Sequence, residues 1–252
     1  MKGKISKIFG LALTLVLVAS LFGFAIPVSA GTLVWSSISI PSASGNVLMG
    51  GPEEVGIVAP SPNFATDNTV FAAVNDVVTP ARPVVYRSTD GGHTWVPTTT
   101  ALGAAAGDII VGLVVSPNFA SDNTVFVATQ TPAGGPGTGI VYRSTNGGAS
   151  FGQLGVVTLG AGEVITCMDV SPNYDGVGVV AVGIADIATG TVPATAATSV
   201  QVWGLGGVLS WTNYGLAVAT DIVALKFSPN YPVDATLLAV GVAVAGQPVL
   251  HH

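Results

Sequence analysis

Short apolar runs alternate with polar turns along the chain, and the same succession recurs. A run such as "VGIVAP" is followed by a Ser-Pro-Asn turn, a second run such as "TVFAAV", and a loop rich in Gly, Pro and Thr. A third run such as "PVVYRS" leads through a two-glycine turn to a fourth run that begins at an aromatic residue. Short runs rich in β-branched residues between turn residues predict strands. Each unit therefore predicts four strands, and beyond residue 30 no helical periodicity competes with them.

The Ser-Pro-Asn turn fixes the period of the repeat. Successive serines of this turn lie 55, 55 and 57 positions apart, at Ser61, Ser116, Ser171 and Ser228. An aromatic residue follows each turn, at Phe64, Phe119, Tyr174 and Tyr231. Four short strands in a unit of this length are typical of one blade of a β-propeller. The pattern predicts an all-β domain over residues 31–252, a β-propeller-like repeat of about four four-stranded blades.

The two ends of this domain fit the repeat. The C-terminal "GQPVLHH" aligns with "ARPVVYR", so the fourth unit ends in its third strand. The segment "TLVWSSISI" at 32–40 is typical of a fourth strand, with Trp35 in the place of Trp95. Pairing of these two segments would complete the fourth blade and close a ring without exposed sheet edges. The alternative is that the chain is a piece of a longer repeat array.

Residues 1–30 have the pattern of a signal peptide. Three lysines, Lys2, Lys4 and Lys7, precede a long apolar run, which ends in the small-residue sequence "VSA" before Gly31. This pattern predicts cleavage and secretion, so that nothing remains to insert into a membrane. The alternative is an uncleaved membrane anchor, since the apolar run approaches the length of a spanning helix.

Composition narrows the range of partners. Charged residues make up only 8% of the chain, and beyond residue 30 the basic side chains that face 13 acidic ones are Arg82, Arg87, Arg143 and Lys226. Nucleic-acid binding is excluded as a function, because it depends on basic groups that neutralise phosphates. The single cysteine, Cys167, excludes an intrachain disulfide, and its apolar neighbours "VITCMDV" predict a buried side chain.

The two-glycine turn of the first unit, "STDGGHTW", resembles the Asp-box, or bacterial neuraminidase repeat, whose pattern is Ser-x-Asp-x-Gly-x-Thr-Trp. All defined positions match, at Ser88, Asp90, Gly92, Thr94 and Trp95. The second unit departs conservatively at three positions, with Asn for Asp, Ser for Thr and Phe for Trp, at Ser144, Asn146, Gly148, Ser150 and Phe151. The third unit, "VWGLGGVLSW", keeps only a glycine pair and Trp211.

The resemblance implies a fold element and no particular activity. In that family the aspartate accepts hydrogen bonds from backbone N–H groups of its own turn, the glycine permits the turn, and the aromatic residue packs between sheets. Asn146 is expected to accept the same bonds. Such boxes occur in sialidases, other glycosidases, sorting receptors and secreted YVTN/BNR-like repeat proteins of prokaryotic cell surfaces.

Sialidase chemistry would need three arginines that converge on a substrate carboxylate. Arg87 and Arg143 occupy the same slot of two repeats, which predicts neighbouring blades for them and leaves only Arg82. A sialidase is therefore not expected.

Other hydrolase chemistry has few candidates, and no catalytic residue is assigned. The adjacent Glu53 and Glu54 would point to opposite faces of a strand, whereas Glu54 with Glu163 or Asp169 remains an open pairing for a glycosidase. His93 is expected to be a solvated turn residue, and no His or Cys spacing predicts a metal site.

The loops "NFATDNT" and "NFASDNT" contain oxygen ligands of the kind that calcium takes, at Asn63, Asp67, Asn68, Asn118, Asp122 and Asn123. Asp67 and Asp122 are weak calcium candidates, because each loop has a single carboxylate. Asn and Asp are also turn formers, and the turn interpretation is favoured. No other cofactor is expected.

Two classes of function follow. The first is a secreted, non-catalytic structural or interaction protein of the cell surface, similar to surface-layer assembly units, whose partners are copies of itself or other surface proteins. A mean hydropathy of +0.67 suits such contacts. The alternative is a glycan-binding or glycoside-hydrolase-like propeller module, which needs exposed aromatic residues. Trp95, Phe151 and Trp211 are expected in the core, whereas Trp35, Trp203 and Tyr214 are less constrained by the repeat.

Overall fold

The computed structural model describes residues 53–76, 83–98, 102–105, 107–131, 138–172, 178–186, 199–204, 210–214, 216, 220–243 and 248–251. The chain divides into two compact units, Met1–Ser37 and Ile38–His252, and all described residues lie in the second. The signal-peptide prediction and the predicted N-terminal strand at 32–40 fall outside the described residues. Among the described residues, no helix is both long and apolar enough to cross a membrane.

The described residues form four antiparallel sheets, each built from consecutive strands. Sheet 1 contains β1 (Glu53–Pro60), β2 (Val70–Asp76), β3 (Val84–Ser88) and β4 (Val96–Pro97). Sheet 2 contains β5 (Ile109–Val115), β6 (Val125–Gln130), β7 (Gly139–Ser144) and β8 (Gly152–Val157). Sheet 3 contains β9 (Glu163–Val170), β10 (Val179–Asp186), β11 (Val200–Gly204) and β12 (Trp211–Tyr214). Sheet 4 contains β13 (Thr220–Phe227), β14 (Leu237–Ala243) and β15 (Pro248–His251).

This order confirms the all-β, propeller-like prediction, because each sheet is an up-and-down meander of the kind that forms a blade. In sheet 4 the third strand pairs Leu250 with Val240, just as Val85 pairs with Ala73 in sheet 1. The C-terminal segment therefore occupies the third-strand position that its sequence predicts. Closure by the segment 32–40 remains a prediction.

Each of the Ser-Pro-Asn turns that the structure describes fully contains one turn of helix. These helices are α1 (Phe64–Asp67), α2 (Phe119–Asp122) and α3 (Tyr231–Asp234). Each is followed by a residue in the left-handed conformation, with φ of 48° at Asn68, 49° at Asn123 and 49° at Ala235. A left-handed residue ends a helix and lets the chain turn into the next strand.

Successive sheets pack face to face and share one core at each junction. Between sheets 1 and 2, Phe71 and Val85 pack with Phe119 and Val127 of the next sheet, all nearly inaccessible to solvent. Sheets 2 and 3 share a second cluster and sheets 3 and 4 a third. The middle strands are therefore covered on both faces, and every residue of β6 is buried. Burial on both faces explains why these strands have continuous apolar runs instead of alternation.

A bulge recurs at the same repeat position between the first two strands of all four sheets. In sheet 2 the register shifts between Ile110 and Gly112. The backbone of Ile110 bonds instead to the side-chain amide of Asn75 in sheet 1, with 2.7 Å from Ile110 N to Asn75 Oδ1 and 3.1 Å from Asn75 Nδ2 to Ile110 O. The side-chain amide of Asn75 therefore satisfies both backbone groups of Ile110 in the edge strand β5, next to the bulge. The sequence analysis did not predict this device.

Of the aromatic residues that begin the fourth strands, all expected in the core, only Phe151 is buried, whereas Trp95 and Trp211 are partly buried and pack against core clusters. Trp95 packs on the far face of sheet 1, and Trp211 packs edge-on against Trp203 with 5.6 Å between ring centroids. The expectation that Trp203 is less constrained is wrong, because Trp203 is buried in the core between sheets 2 and 3. Tyr214 is exposed, and Trp35 lies outside the described residues.

Candidate functional site

The Ser-Pro-Asn turns are held by a carboxylate. In sheet 1, Asp67 Oδ2 accepts a hydrogen bond from Ser61 Oγ at 2.6 Å, and Asp67 Oδ1 accepts one from the N–H of Thr69 at 2.8 Å. Asp122 accepts the same two bonds, at 2.5 Å and 2.8 Å, in sheet 2. Both oxygens of each carboxylate therefore have donors within the turn, which favours the turn interpretation of Asp67 and Asp122 over calcium binding.

Sheet 4 has the same arrangement, which the sequence analysis missed. Asp234 accepts hydrogen bonds from Ser228 Oγ at 2.5 Å and from the N–H of Thr236 at 3.0 Å. These bonds lower the pKa of Asp234 below its usual value. The spacing Ser-Pro-Asn-x-x-x-Asp-x-Thr is visible in the sequence and would have identified this residue. Within the part of the chain that the structure describes, no group of three or more His, Cys, Asp or Glu side chains could hold a metal ion.

The first two-glycine turn is organised around Asp90. Its Oδ1 accepts hydrogen bonds from Ser88 Oγ at 2.7 Å and from the N–H of Thr94 at 2.9 Å, and its Oδ2 accepts one from Thr94 Oγ1 at 2.6 Å. Ser88 Oγ in turn accepts the N–H of Gly92 at 2.8 Å. The bonds from Thr94 and Ser88 lower the pKa of Asp90 far below its usual value. Trp95 Nε1 donates to the carbonyl of Gly92 at 2.9 Å and fixes the ring over the turn.

The second turn has the same geometry with an amide in place of the carboxylate. Asn146 Oδ1 accepts hydrogen bonds from Ser144 Oγ at 2.8 Å and from the N–H of Ser150 at 2.9 Å. Asn146 Nδ2 donates to Ser150 Oγ at 2.7 Å, and Ser144 Oγ accepts the N–H of Gly148 at 2.9 Å. Asn146 therefore accepts the backbone bond expected of it.

In sheets 1 and 2, the two kinds of turn lie together at one end of the sheet. The N–H of Gly91 donates to the carbonyl of Asn68 at 2.9 Å, and Gly147 donates to Asn123 at 2.8 Å in the next sheet. Both glycines have positive φ, 75° and 68°, which side chains other than glycine rarely adopt. The glycine-rich turn therefore braces the Ser-Pro-Asn turn of its own sheet.

Arg87 connects the neighbouring sheets 1 and 2 at this end. Its Nη1 donates to the carbonyl of Gly147 at 3.0 Å, and its guanidinium carbon lies 5.9 Å from the centroid of the Phe71 ring. Arg143 occupies the corresponding strand of sheet 2, opposite Phe126 in the same register. The two arginines thus lie in neighbouring sheets, as expected, and Arg82 lies outside the described residues.

Asp169, one of the carboxylates considered for glycosidase chemistry, joins sheets 3 and 4. It is 5% exposed, and its Oδ1 forms an ion pair with Lys226 Nζ at 2.8 Å. Its Oδ2 accepts the N–H of Phe227 at 2.8 Å. Both oxygens are therefore held by groups of the next sheet. The side chains of Glu53 and Glu54 lie outside the described part of the chain, so a pairing with Glu54 remains a prediction.

Glu163, the other candidate, belongs to an acidic group at the start of β9. Glu163 Oε2 accepts the N–H of Gly160 at 2.5 Å, and Glu163 is paired in register with Asp186. The N–H of Asp186 donates to Asp221 Oδ1 at 2.8 Å. Burial, followed by the charges of Asp186 and Glu163, raises the pKa of Asp221. Asp186 and Asp221 are not predicted from the sequence, because they become neighbours only through the packing of two sheets.

The remaining candidate residues, His93 and Cys167, lie in surroundings that favour a structural role. His93 is exposed, and its Nδ1 lies 2.6 Å from the carbonyl oxygen of Asp90 within the turn. Cys167 is half-buried in the core between sheets 3 and 4, and burial raises the pKa of its thiol. A thiol with a raised pKa is a poor nucleophile at neutral pH.

Cavities between described residues lie at the sheet junctions. A cavity of about 310 Å³ lies between the glycine-rich turns of sheets 1 and 2, and one of about 400 Å³ lies between their Ser-Pro-Asn turns. Arg87 lines both. A third, of about 260 Å³, lies between sheets 3 and 4 and is lined mainly by apolar and aromatic side chains.

No family model and no curated protein sequence matches this chain. Among solved structures, the chain is similar to a GH74 enzyme from Niastella koreensis, with 17% identity, 78% of this chain and 30% of that chain covered, and a TM-score of 0.47. It is similar to Sqt1 from Chaetomium thermophilum, with 19% identity, 80% and 44% covered, and a TM-score of 0.48. It is also similar to the α-L-arabinofuranosidase Arb93A from Fusarium graminearum, with 14% identity, 86% and 65% covered, and a TM-score of 0.47.

The chain thus spans less than two thirds of the length of each of these three proteins. Its fold is defined by the strand order within its own four sheets.

Proposed function

We propose that this protein is a secreted, non-catalytic structural or interaction protein of the cell surface, an assembly unit with Asp-box turns that associates with copies of itself through sheet 4. In each of sheets 1–3, the next sheet along the chain covers one face. The contact would be the corresponding face of sheet 4, which is apolar. We call it the sheet-4 face, and its central residues are Leu238, Val240 and Leu250. Self-association would bury this face as the next sheet buries the others.

The single observation that carries this proposal is a difference in exposure at equivalent positions. Leu250 is 65% exposed, whereas the residues at its position in the other sheets, Val85, Val141 and Val200, are 0%, 0% and 3% exposed. Leu238 is 41% exposed, whereas Phe71, Phe126 and Ala181 at its position are fully buried. A contiguous exposed apolar patch on a secreted protein is typical of an interaction surface.

The surroundings of the polar residues support the non-catalytic part of the proposal. Asp67, Asp90 and Asp122 hold turns, and Asp169 and Arg87 connect neighbouring sheets. A catalytic carboxylate needs at least one oxygen that can reach a substrate. The hydrogen bonds of these residues account for their presence without a substrate.

Light scattering of the purified protein tests self-association. We expect the wild type to form oligomers whose mass increases with protein concentration. Val240→Lys should shift them to monomer, because it places a charge in the apolar contact. Val233→Lys is the matched control: Val233 is 80% exposed and belongs to α3, not to a strand of sheet 4, and its replacement should leave assembly unchanged. A monomeric wild type, or equal assembly of Val240→Lys and wild type, would contradict the proposal.

A glycan-binding propeller module is the second candidate, and Tyr214 is the observation that favours it. Tyr214 is 60% exposed and lies beside the cavity between sheets 3 and 4. An exposed aromatic face next to a cavity is a common sugar-binding feature. A glycan array followed by calorimetry tests this function: a bound glycan whose affinity falls in Tyr214→Ala would support it, and an array without signal would reject it.

A further inference from the structure

The cavity of about 260 Å³ between sheets 3 and 4 has apolar walls and two tyrosines. Its lining includes Val202, Tyr214, Leu216, Phe227, Tyr231 and Leu237. We propose that this cavity binds a small monocyclic aromatic compound with one hydrogen-bonding group, a ligand of the size and chemistry of phenol. This proposal does not depend on the self-association proposed above.

The cavity lies where sheet 3 has smaller side chains than sheets 1 and 2 at one repeat position. Two residues face each other across the second and third strands at one repeat position. They are Phe71 and Arg87 in sheet 1, Phe126 and Arg143 in sheet 2, and Ala181 and Val202 in sheet 3. A benzyl group and a guanidinium are thus replaced by a methyl and an isopropyl group. The missing volume faces sheet 4, on the side where Val202 lines the cavity.

The first junction shows what normally occupies this place. There the Phe71 ring meets the Phe119 ring edge-on, with 5.7 Å between centroids and 82° between planes. Tyr231 occupies the position of Phe119 at the third junction, and Ala181 of the preceding sheet stands in the place of Phe71. Tyr231 packs instead against Phe227 of its own sheet, at 4.8 Å and 80°. An aromatic ligand would restore the missing partner, with the edge-to-face geometry that aromatic rings prefer.

The size and chemistry of the cavity favour an aromatic ring over a sugar. A dry apolar cavity of about 150 Å³ is large enough to bind benzene, so about 260 Å³ leaves room for a substituent. Among the described residues that line the cavity, hydroxyl groups belong to Tyr214 and Tyr231. A sugar would therefore leave most of its hydroxyl groups without partners against apolar walls, which is unfavourable.

The side chains of Tyr214 and Tyr231 determine where the polar group of the ligand would lie. Tyr214 is exposed and Tyr231 is half-buried. Burial first, and then the nearby Tyr214, raises the pKa of Tyr231 above its usual value of 10.0. Tyr231 is thus protonated at neutral pH, and its hydroxyl can donate to or accept from the ligand. A single hydrogen-bonding group on the aromatic ring of the ligand is enough to form a hydrogen bond with the hydroxyl group of Tyr231.

Titration of the full-length protein with 4-fluorophenol, followed by ¹⁹F NMR, tests the proposal. We expect saturable binding with a Kd of about 1 mM, typical of a ligand with so few atoms. Ala181→Phe introduces the phenylalanine that sheets 1 and 2 have at this position and should weaken binding at least about tenfold. Val156→Phe is the matched control, because Val156 is 51% exposed on β8 of sheet 2, and it should bind as the wild type does.

A second substitution keeps the test decisive if Ala181→Phe fails to fold. Val202→Phe fills the same cavity from the neighbouring strand and should also abolish binding, with folding checked by urea denaturation. Binding of 4-fluorophenol to a folded Ala181→Phe or Val202→Phe variant with wild-type affinity would overturn the proposal. So would the absence of saturable binding to the wild type, or saturable binding of methyl β-glucoside in its place.

Discussion

Ala235 offers a substitution that should stabilise the protein. It ends α3 with φ of 49°, and the residues at the same repeat position, Asn68 and Asn123, have φ of 48° and 49°. For residues with a β-carbon this left-handed conformation costs roughly 1–2 kcal/mol. Asparagine tolerates it better than alanine, because its side chain can bond to its own backbone. We therefore expect Ala235→Asn to raise the free energy of unfolding by about 1 kcal/mol.

Equilibrium unfolding in urea, followed by tryptophan fluorescence, measures this change. For a domain of this size, about 1 kcal/mol corresponds to an increase in melting temperature of roughly 2–4 °C. The reverse substitution, Asn123→Ala, should lower the free energy of unfolding by a similar amount. Ala120→Asn is the matched control, because Ala120 is exposed in α2 and its φ is not positive. There asparagine should bring no gain and a small loss from its poorer helix propensity.

Either of two results would refute strain in the left-handed conformation as the source of the gain. If Ala235→Asn leaves the urea midpoint unchanged or lowers it, the left-handed conformation is not a source of strain at this position. If Ala120→Asn stabilises the protein as much as Ala235→Asn does, the gain comes from the asparagine side chain and not from the backbone conformation.

Three further outcomes follow from the turns and the core. Ser88→Ala removes the acceptor of the buried N–H of Gly92, and urea denaturation should show a loss of about 1–3 kcal/mol; an unchanged midpoint would mean that another group satisfies this N–H. The lowered pKa of Asp90 stabilises the folded state above the usual pKa of 3.8, and this contribution is lost as the pH falls toward the folded-state pKa. The urea midpoint should therefore fall less between pH 5 and pH 3 in Asp90→Asn than in the wild type, and equal falls would contradict this. Gly155→Ala forces a methyl group against the Trp203 ring, and should cost about 1–3 kcal/mol and alter tryptophan emission; unaltered emission would contradict the close approach.

Much of the fold could be predicted from the sequence because it depends on local rules. The recurrence of Ser-Pro-Asn gave the number of repeats, and the glycine pairs gave the hairpins. Asn146 was expected to replace Asp90 as a turn acceptor, since both side chains have an oxygen at the same place. The same kind of reasoning could have identified Asp234 from its spacing after Ser228.

Other features could not be read from the sequence, because they depend on which sheet lies against which. The bond between Asn75 and Ile110 joins residues of different repeats across a bulge whose position no local signal gives. The burial of Trp203 depends on a neighbouring sheet that offers Gly155 as a flat surface for the ring. Nothing in the local sequence distinguishes Ala181 from other strand alanines. The register places it opposite Val202, at positions where sheets 1 and 2 have phenylalanine and arginine.

The sequence by itself determined the strands, the turns and their period, because hairpin and helix-cap geometry depends on the backbone preferences of a few adjacent residues. The tertiary structure alone decided which faces are covered, which carboxylates connect sheets, where a cavity opens and which apolar face remains exposed on sheet 4. The physical reason is that burial is a property of two surfaces in contact. A repeated strand pattern predicts which residues each face of a sheet contains. Only the packing of successive sheets determines what lies against that face.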